Sequence, residues 1–283
     1  MRSGKVRNNP AKNVQRFRCR PQQFRCEARC CEHPSNRPAL ILADYITLSQ
    51  HTGRRMSDIW MEEGDIYLGP HDERPDDFVI GLGLLFDPCC LFLAEDNSCL
   101  VYEGRPNPCV AFPLMTMIYD RYAEVRSNRL DIFPCLKGVE PTAAQRDWMK
   151  RYVKTSRQAI ALEVPLLWER GGLPRFITFT DSRRMFELVG QAMGRVQRLG
   201  PRIAEDRAAS LEWAAGRLVG MAEAGAIALE ALELSELLAP AYFILLQDKI
   251  AAGLDDIQDH HLPEFKRVMK SFRSLRKEAK EII

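Results

Sequence analysis

The chain has 283 residues, 46% of them apolar, and a formal net charge of +2. That length allows one large domain or two ordinary ones with a core that needs no disulfides, and the near-neutral balance points to no particular polyanionic partner. No apolar run reaches ~18 residues and none follows the basic N-terminus, so neither a membrane span nor a secretory signal is expected, and the chain reads as cytoplasmic.

Residues 1–18 read as a basic disordered tail. Residues 1–26 hold eight Arg and Lys, and the first acid is Glu27. A solvated tail is the first reading and nucleic-acid contact the second. Cys19, Cys26, Cys30 and Cys31 follow, among prolines (Pro21, Pro34, Pro38) that keep this region from regular helix. Leu42, Tyr45, Ile46 and Leu48 share one face of a helix expected over Ala39 to His51, with Gly53 as its C-terminal cap. Ser57 is expected to cap a short helix to Glu63, closed by Gly64. Gly69 to Asp77 reads as a polar loop and Phe78 to Phe86 as a strand. Short strands are expected at Leu100 to Tyr102, at Met115 to Tyr119, and at Tyr122 to Arg126 after a turn at Asp120 and Arg121.

From Pro141 the texture becomes helical. Thr142 can cap a helix toward Trp168, with Pro165 as a kink or stop. A break at 171–174 precedes a short extended piece, Phe176 to Thr178. Asp181 can cap a helix to Leu199, and further helices are expected over about 202–224, 226–238, 241–253 and 262–282, as in an antiparallel bundle. No phosphate-binding glycine loop is present, and Gly81 and Gly83 alone make no dinucleotide fingerprint.

All nine cysteines (Cys19, Cys26, Cys30, Cys31, Cys89, Cys90, Cys99, Cys109, Cys135) lie before residue 136. In a reducing compartment such clusters are more often metal ligands or redox groups than structural disulfides. Zinc and iron–sulfur clusters both take four thiolates, so eight cysteines can make two sites. The adjacent pairs Cys30–Cys31 and Cys89–Cys90 are too close for an unstrained disulfide and, if extended, point their side chains to opposite sides. His33 reads as a neighbour of the metal loop rather than a ligand, His260 and His261 as surface residues, and Tyr102 and Phe112 as core packing. Arg105 reads equally as a donor to a sulfur or anion beside the centre and as a structural donor to loop carbonyls.

The run Cys90-Leu-Phe-Leu, then Cys99-x-x-Tyr102-x-x-Arg105-Pro106-x-x-Cys109-x-x-Phe112-Pro113, resembles the second half of the YkgJ-like cysteine-cluster family, named for a CxxxCxxCC motif. Cys135-x-x-Gly138 resembles that family's late cysteine. The first half departs: Cys26-x-x-x-Cys30-Cys31 lacks one gap, with Cys19 as the remaining member. Leu91 stands where Pro is usual, Val110 where Arg is usual, and Cys89 is extra. The resemblance implies a zinc- or iron-chelating domain.

Spacing and resemblance together nominate Cys19, Cys26, Cys30, Cys31, Cys90, Cys99, Cys109 and Cys135 as ligands, with Arg105 beside them. The expected architecture is an α+β N-terminal cysteine-rich metal-binding domain over 19–138, followed by a mostly α-helical bundle over 139–283. The expected function is a cysteine-cluster protein holding iron–sulfur or zinc centres, with a redox or electron-transfer role. Two alternatives stand beside it. One is a zinc-stabilised protein- or nucleic-acid-binding module using the basic tail or the Lys- and Arg-rich helix from Leu262. The other is a flagellin lysine methylase-like transferase with an accessory cluster. Whether the chain is an enzyme stays open, and the helical half is expected to cover the cysteine domain, form a homodimer or bind a protein partner.

Overall fold

The computed structural model describes residues 28–32, 38–70, 77–86, 89–112, 114–115, 141–171, 173, 176–178, 246–257 and 261–282. Over these it is mainly helical with one small sheet. The elements are α1 (Arg29–Glu32), α2 (Leu42–Thr52), α3 (Met56–Glu63), β1 (Gly64–Pro70), β2 (Asp77–Leu84), a 3-10 turn (Tyr102–Gly104), α4 (Asn107–Ala111), α5 (Ala143–Glu163), a π-helical turn (Val164–Glu169), β3 (Phe176–Thr178), helical residues 246–256 as α6, and α7 (Leu262–Ile282).

Local chemistry explains most element ends. Gly53 takes φ 70°, a left-handed conformation that suits glycine, and its N–H returns to the Ser49 carbonyl, closing α2 as a cap should. Thr142 caps α5 reciprocally. Its hydroxyl accepts from Gln145 N at 3.2 Å while the Gln145 amide oxygen accepts from Thr142 N at 2.9 Å. Pro165 does not stop the chain. It opens a π-helical turn in which Arg170 N donates to the Pro165 carbonyl, and the wider turn suits a residue without an N–H.

The sheet has the order β1-β2-β3, both pairs antiparallel, with Ile66 opposite Leu82 and Phe78 opposite Ile177. The strand expected at Phe78 and the extended piece at Phe176 are its β2 and β3. β1 is an addition to the sequence reading. Three expectations are corrected. Leu100 to Tyr102 is not a strand: Tyr102 N bonds the Cys99 carbonyl and the chain turns into the 3-10 segment. Ser57 lies inside α3, and Arg55 takes the cap position without a side-chain bond. His261 is half-buried rather than a surface residue, between Arg170 Nη1 at 3.0 Å from Nε2 and Asp256 Oδ2 at 3.7 Å from Nδ1. The boundary drawn at 138/139, the strands expected beyond residue 115 and the helices expected over 181–238 lie outside the described residues.

α5 and α7 run antiparallel. The Gln145 side chain reaches the Ile282 carbonyl, Trp148 Nε1 the Leu275 carbonyl at 2.8 Å, and Arg151 grips Glu278. Trp148 stacks on Tyr152 with ring centroids 5.5 Å apart, and Tyr152 meets Phe272 edge-on. α2 packs against α3, α5, α7 and the 3-10 turn. The buried core is contiguous across these elements, from Leu42, Leu48 and Trp60 through Trp148 and Trp168 to Phe265 and Phe272. Glu163 joins them within this core: its Oε2 accepts from Leu42 N at 2.8 Å and its Oε1 from Trp168 Nε1 at 2.9 Å. One carboxylate thus serves the first turn of α2, where a negative charge is favoured, and an indole that requires an acceptor.

Candidate metal centre

The cysteine segment is ordered by its own backbone. Ala28, at φ 59°, turns the chain into α1, and its carbonyl accepts from Cys31 N at 2.7 Å. Cys30 and Cys31 follow on this one turn with their sulfurs 3.9 Å apart. The Cys31 carbonyl then accepts from Cys90 N at 2.8 Å. That bond stitches the first cysteine group to the second, 59 residues later in the chain.

Residues 90–100 form a tight turn. Ala94 N donates to the Ser98 carbonyl, Asn97 takes φ 63°, and Asp96 Oδ1 accepts from Ser98 N at 2.9 Å. Asp and Asn bond their own backbone and tolerate this conformation, which is why they occupy the bend. The turn sets Leu93 opposite Cys99, and Phe86 bridges to Cys90. The chain then passes through the 3-10 turn and Pro106 into α4, which carries Cys109.

Cys31, Cys90, Cys99 and Cys109 come together electrostatically. Burial pushes the Cys90 thiol up to about 12, with Cys31, Cys99 and Cys89 adding to the rise. Burial also raises Cys99 and Cys109, and charge at Cys31 would raise each of them further. Arg105 acts in the opposite direction on Cys99 and Cys109, favouring their thiolates. Its guanidinium lies 4.3 Å from the centre of the Tyr102 ring, a cation–π geometry that holds the charge beside the cysteines. The donor set is soft, mutually repelling when ionised, and short of positive charge, which is the chemistry a thiophilic metal ion relieves.

Of the eight nominated cysteines, the structure brings Cys31 and Cys90 together through their backbone bond and sets Cys30 beside Cys31, and the charges of Cys31, Cys90, Cys99 and Cys109 act on one another. Cys19, Cys26 and Cys135, like His33, lie outside the described residues. Cys90 is buried, while Cys30, Cys31, Cys89, Cys99 and Cys109 are partly exposed. Among the described residues, no group of three or more Cys, His, Asp or Glu side chains is placed so that it could hold a metal ion. Donor type suits a thiophilic metal, while the positions of the described side chains do not by themselves form a site for one.

Asp44 and Asn107, which the sequence reading did not single out, and Arg276, which it read only as part of the basic helix from Leu262, hold this segment in place. Asp44, buried in α2, accepts from Asn107 N at 2.7 Å and Asn107 Nδ2 at 2.8 Å through Oδ1, and from Ile41 N at 3.0 Å through Oδ2. From α7, Arg276 donates to the carbonyls of Glu103 and Arg105, each at 2.5 Å. Asp44, Asn107 and Arg276 therefore fasten the stretch between Cys99 and Cys109 to two long helices. A polar residue inside an apolar helical stripe, as Asp44 is, was the available signal.

Comparison of the chain with family models, with curated proteins and with solved structures returns no match. Among the described residues no helix is long and apolar enough to cross a membrane.

Proposed function

We propose that this chain is a cysteine-cluster protein that holds a thiolate-bound metal centre, iron–sulfur or zinc. Cys31, Cys90, Cys99 and Cys109 are ligands, and Cys19, Cys26, Cys30 and Cys135 complete the ligand set. What supports the reading is the backbone bond from Cys90 N to the Cys31 carbonyl, which joins the two cysteine groups, together with the charge of Arg105 that favours the thiolates of Cys99 and Cys109. An iron–sulfur cluster would supply one-electron transfer there, and zinc would supply a structural cross-link. The chain's own part is to present the thiols, exclude water with Phe92, Val110 and Phe112, and set Arg105 against developing negative charge.

The test is metal stoichiometry across single Cys→Ser variants purified without oxygen. Cys31→Ser, Cys90→Ser, Cys99→Ser and Cys109→Ser should each lose metal, while Cys89→Ser should retain it. Full metal content in all four variants would overturn the assignment.

A further inference from the structure

α7 carries seven Lys and Arg against three Glu. Their placement is not uniform. Lys266, Lys270, Arg273, Lys277 and Lys280 recur at alternating steps of four and three, so at about 100° per residue they fall within an arc of about 80°. All five are exposed. The apolar face of the helix (Phe265, Val268, Phe272, Leu275, Ala279) lies opposite, in the core. Glu264 and Glu278 lie on a separate flank, where Glu278 already pairs with Arg151 at 2.6 Å, and Glu281 borders the C-terminal end of the arc, one turn after Lys277. Among the described residues, Lys280 meets Glu103 at 3.2 Å and Arg273 reaches Gln50, whereas Lys266, Lys270 and Lys277 meet no carboxylate. The result is a straight cationic ridge about 21 Å long on a chain whose net charge is +2.

The ridge stands beside the cysteine segment. Arg276, on the same helix, holds the Glu103 and Arg105 carbonyls, and Lys280 pairs with the Glu103 side chain. A partner seated on the ridge would lie next to the loop between Cys99 and Cys109.

We infer that this ridge is a docking surface for an acidic protein partner that presents carboxylates along a helix. Alternating steps of four and three are the spacing of one face of a second helix, so Asp or Glu at that repeat would meet each cation in register. Four of the five cations are lysines, point charges suited to reversible steering rather than to the forked phosphate contacts that arginine makes. The exposed large apolar residues among those described are Met61, Leu91, Leu100 and Met115, so no aromatic platform for stacking nucleic-acid bases accompanies the ridge. The role of such a partner as an exchange protein for the centre rests on the metal reading above; the docking surface itself does not.

The experiment uses the chain as purified without oxygen and a fluorescent alanine-rich helical peptide bearing glutamates at the same alternation of four and three. Charge reversal of Lys266, Lys270 and Lys277 to Glu should weaken peptide binding at least about tenfold and flatten its salt dependence. Reversal of Lys150, Lys154 and Arg157 on α5 makes an equal charge change on another helix and should leave binding within about twofold. The triple Lys→Gln variant gives the same reading without introducing repulsion. Absent peptide binding, equal weakening by the α5 variant, or tighter binding of a DNA duplex of matched charge through the same lysines would each overturn the inference. Metal content measured on the same samples separates this outcome from any failure of the cysteine assignment.

Discussion

Asp44 and Asn107, 63 residues apart in sequence, are joined by two hydrogen bonds to one carboxylate oxygen, at 2.7 Å from the Asn107 backbone N–H and 2.8 Å from its side-chain amide. Both residues are buried, at 0% and 2% exposure. The pair fixes the start of α4, two residues before Cys109, against α2. Asn107→Ala removes one donor and leaves Asp44 short of a partner in a dry site, so it should cost about 1–3 kcal/mol. The urea midpoint should fall with the m-value unchanged, and metal should be held less tightly. An unchanged midpoint would mean that the bond is dispensable.

The same carboxyl makes stability depend on pH. Burial, the largest cause, raises Asp44 from 3.8 to about 6, against bonds from Ile41 and Asn107 and the charge of Arg276 that lower it. Below about pH 4 the carboxyl is protonated in both states and adds no difference. As pH rises from about 4 to about 6, the unfolded chain ionises first, so the fold loses stability through this group. Above about 6 the loss is constant, on the order of 3 kcal/mol. The stability of the wild type relative to Asp44→Asn should therefore decline across that window and then level off, as read by urea melts at stepped pH. A relative stability that rises with pH would show that Arg276 and the Asn107 donors outweigh burial.

Gly104 is required by close approach rather than by backbone angle. A Cβ at this position would stand 2.3 Å from the His51 Cγ and 2.4 Å from its Cβ. Gly104→Ala must push the 3-10 turn away from α2, between Cys99 and Cys109. A loss of about 1–3 kcal/mol is expected, as for other overpacked sites. Metal retention should fall with it, measured by chelator competition. Retention equal to the wild type would separate the turn from the centre.

Glu163→Ala should be the most damaging single change in the helical region. It strands the Leu42 N–H and the Trp168 indole N–H in the core and opens a cavity between α2 and α5. The expected cost is about 3–5 kcal/mol, from two unmet donors and lost packing. Glu163→Gln keeps an acceptor and should recover part of the loss. Thermal melts of the two variants decide it; equal melting temperatures for the wild type and Glu163→Ala would contradict the account.

Binding of zinc to the metal-free chain should release protons. Burial raises Cys90, Cys99 and Cys109, so these thiols are protonated at neutral pH until a cation displaces the proton. Calorimetric titration in two buffers of different ionisation enthalpy counts the protons. Expected are about one per coordinated thiol and an affinity that rises with pH. Binding without proton release would place the metal elsewhere.

What was legible in the sequence follows from how local each determinant is. Gly53 and Thr142 act within one or two turns, and the helix ends they mark fall where the residues put them. β1 was not legible. Gly64, Asp65, Gly69 and Pro70 are poor strand formers, and the strand exists because β2 pairs with it along its whole length. Leu100 to Tyr102 has strand-like composition, and Leu100 N does bond the Phe92 carbonyl, but Tyr102 N turns back to the Cys99 carbonyl and the pairing ends there. The cysteines could be nominated from residue type and spacing, but not the backbone bond that joins Cys31 to Cys90, which links segments 59 residues apart. Of the supports, Asp44 shows as a polar residue in an apolar helical stripe, but its pairing with Asn107 and the reach of Arg276 do not show, because they join segments 63 to 173 residues apart and follow no repeat.

The central claim is most directly tested by purifying the full chain without oxygen and recording at once its absorption spectrum and its Fe, Zn and acid-labile sulfide content. The account predicts bound metal in the fresh, reduced protein. Broad absorption near ~400 nm with iron and sulfide identifies a cluster, and about one or two zinc ions per chain without colour identify a structural thiolate site. A folded, reduced protein that carries neither metal, and takes up neither on reconstitution, would contradict it.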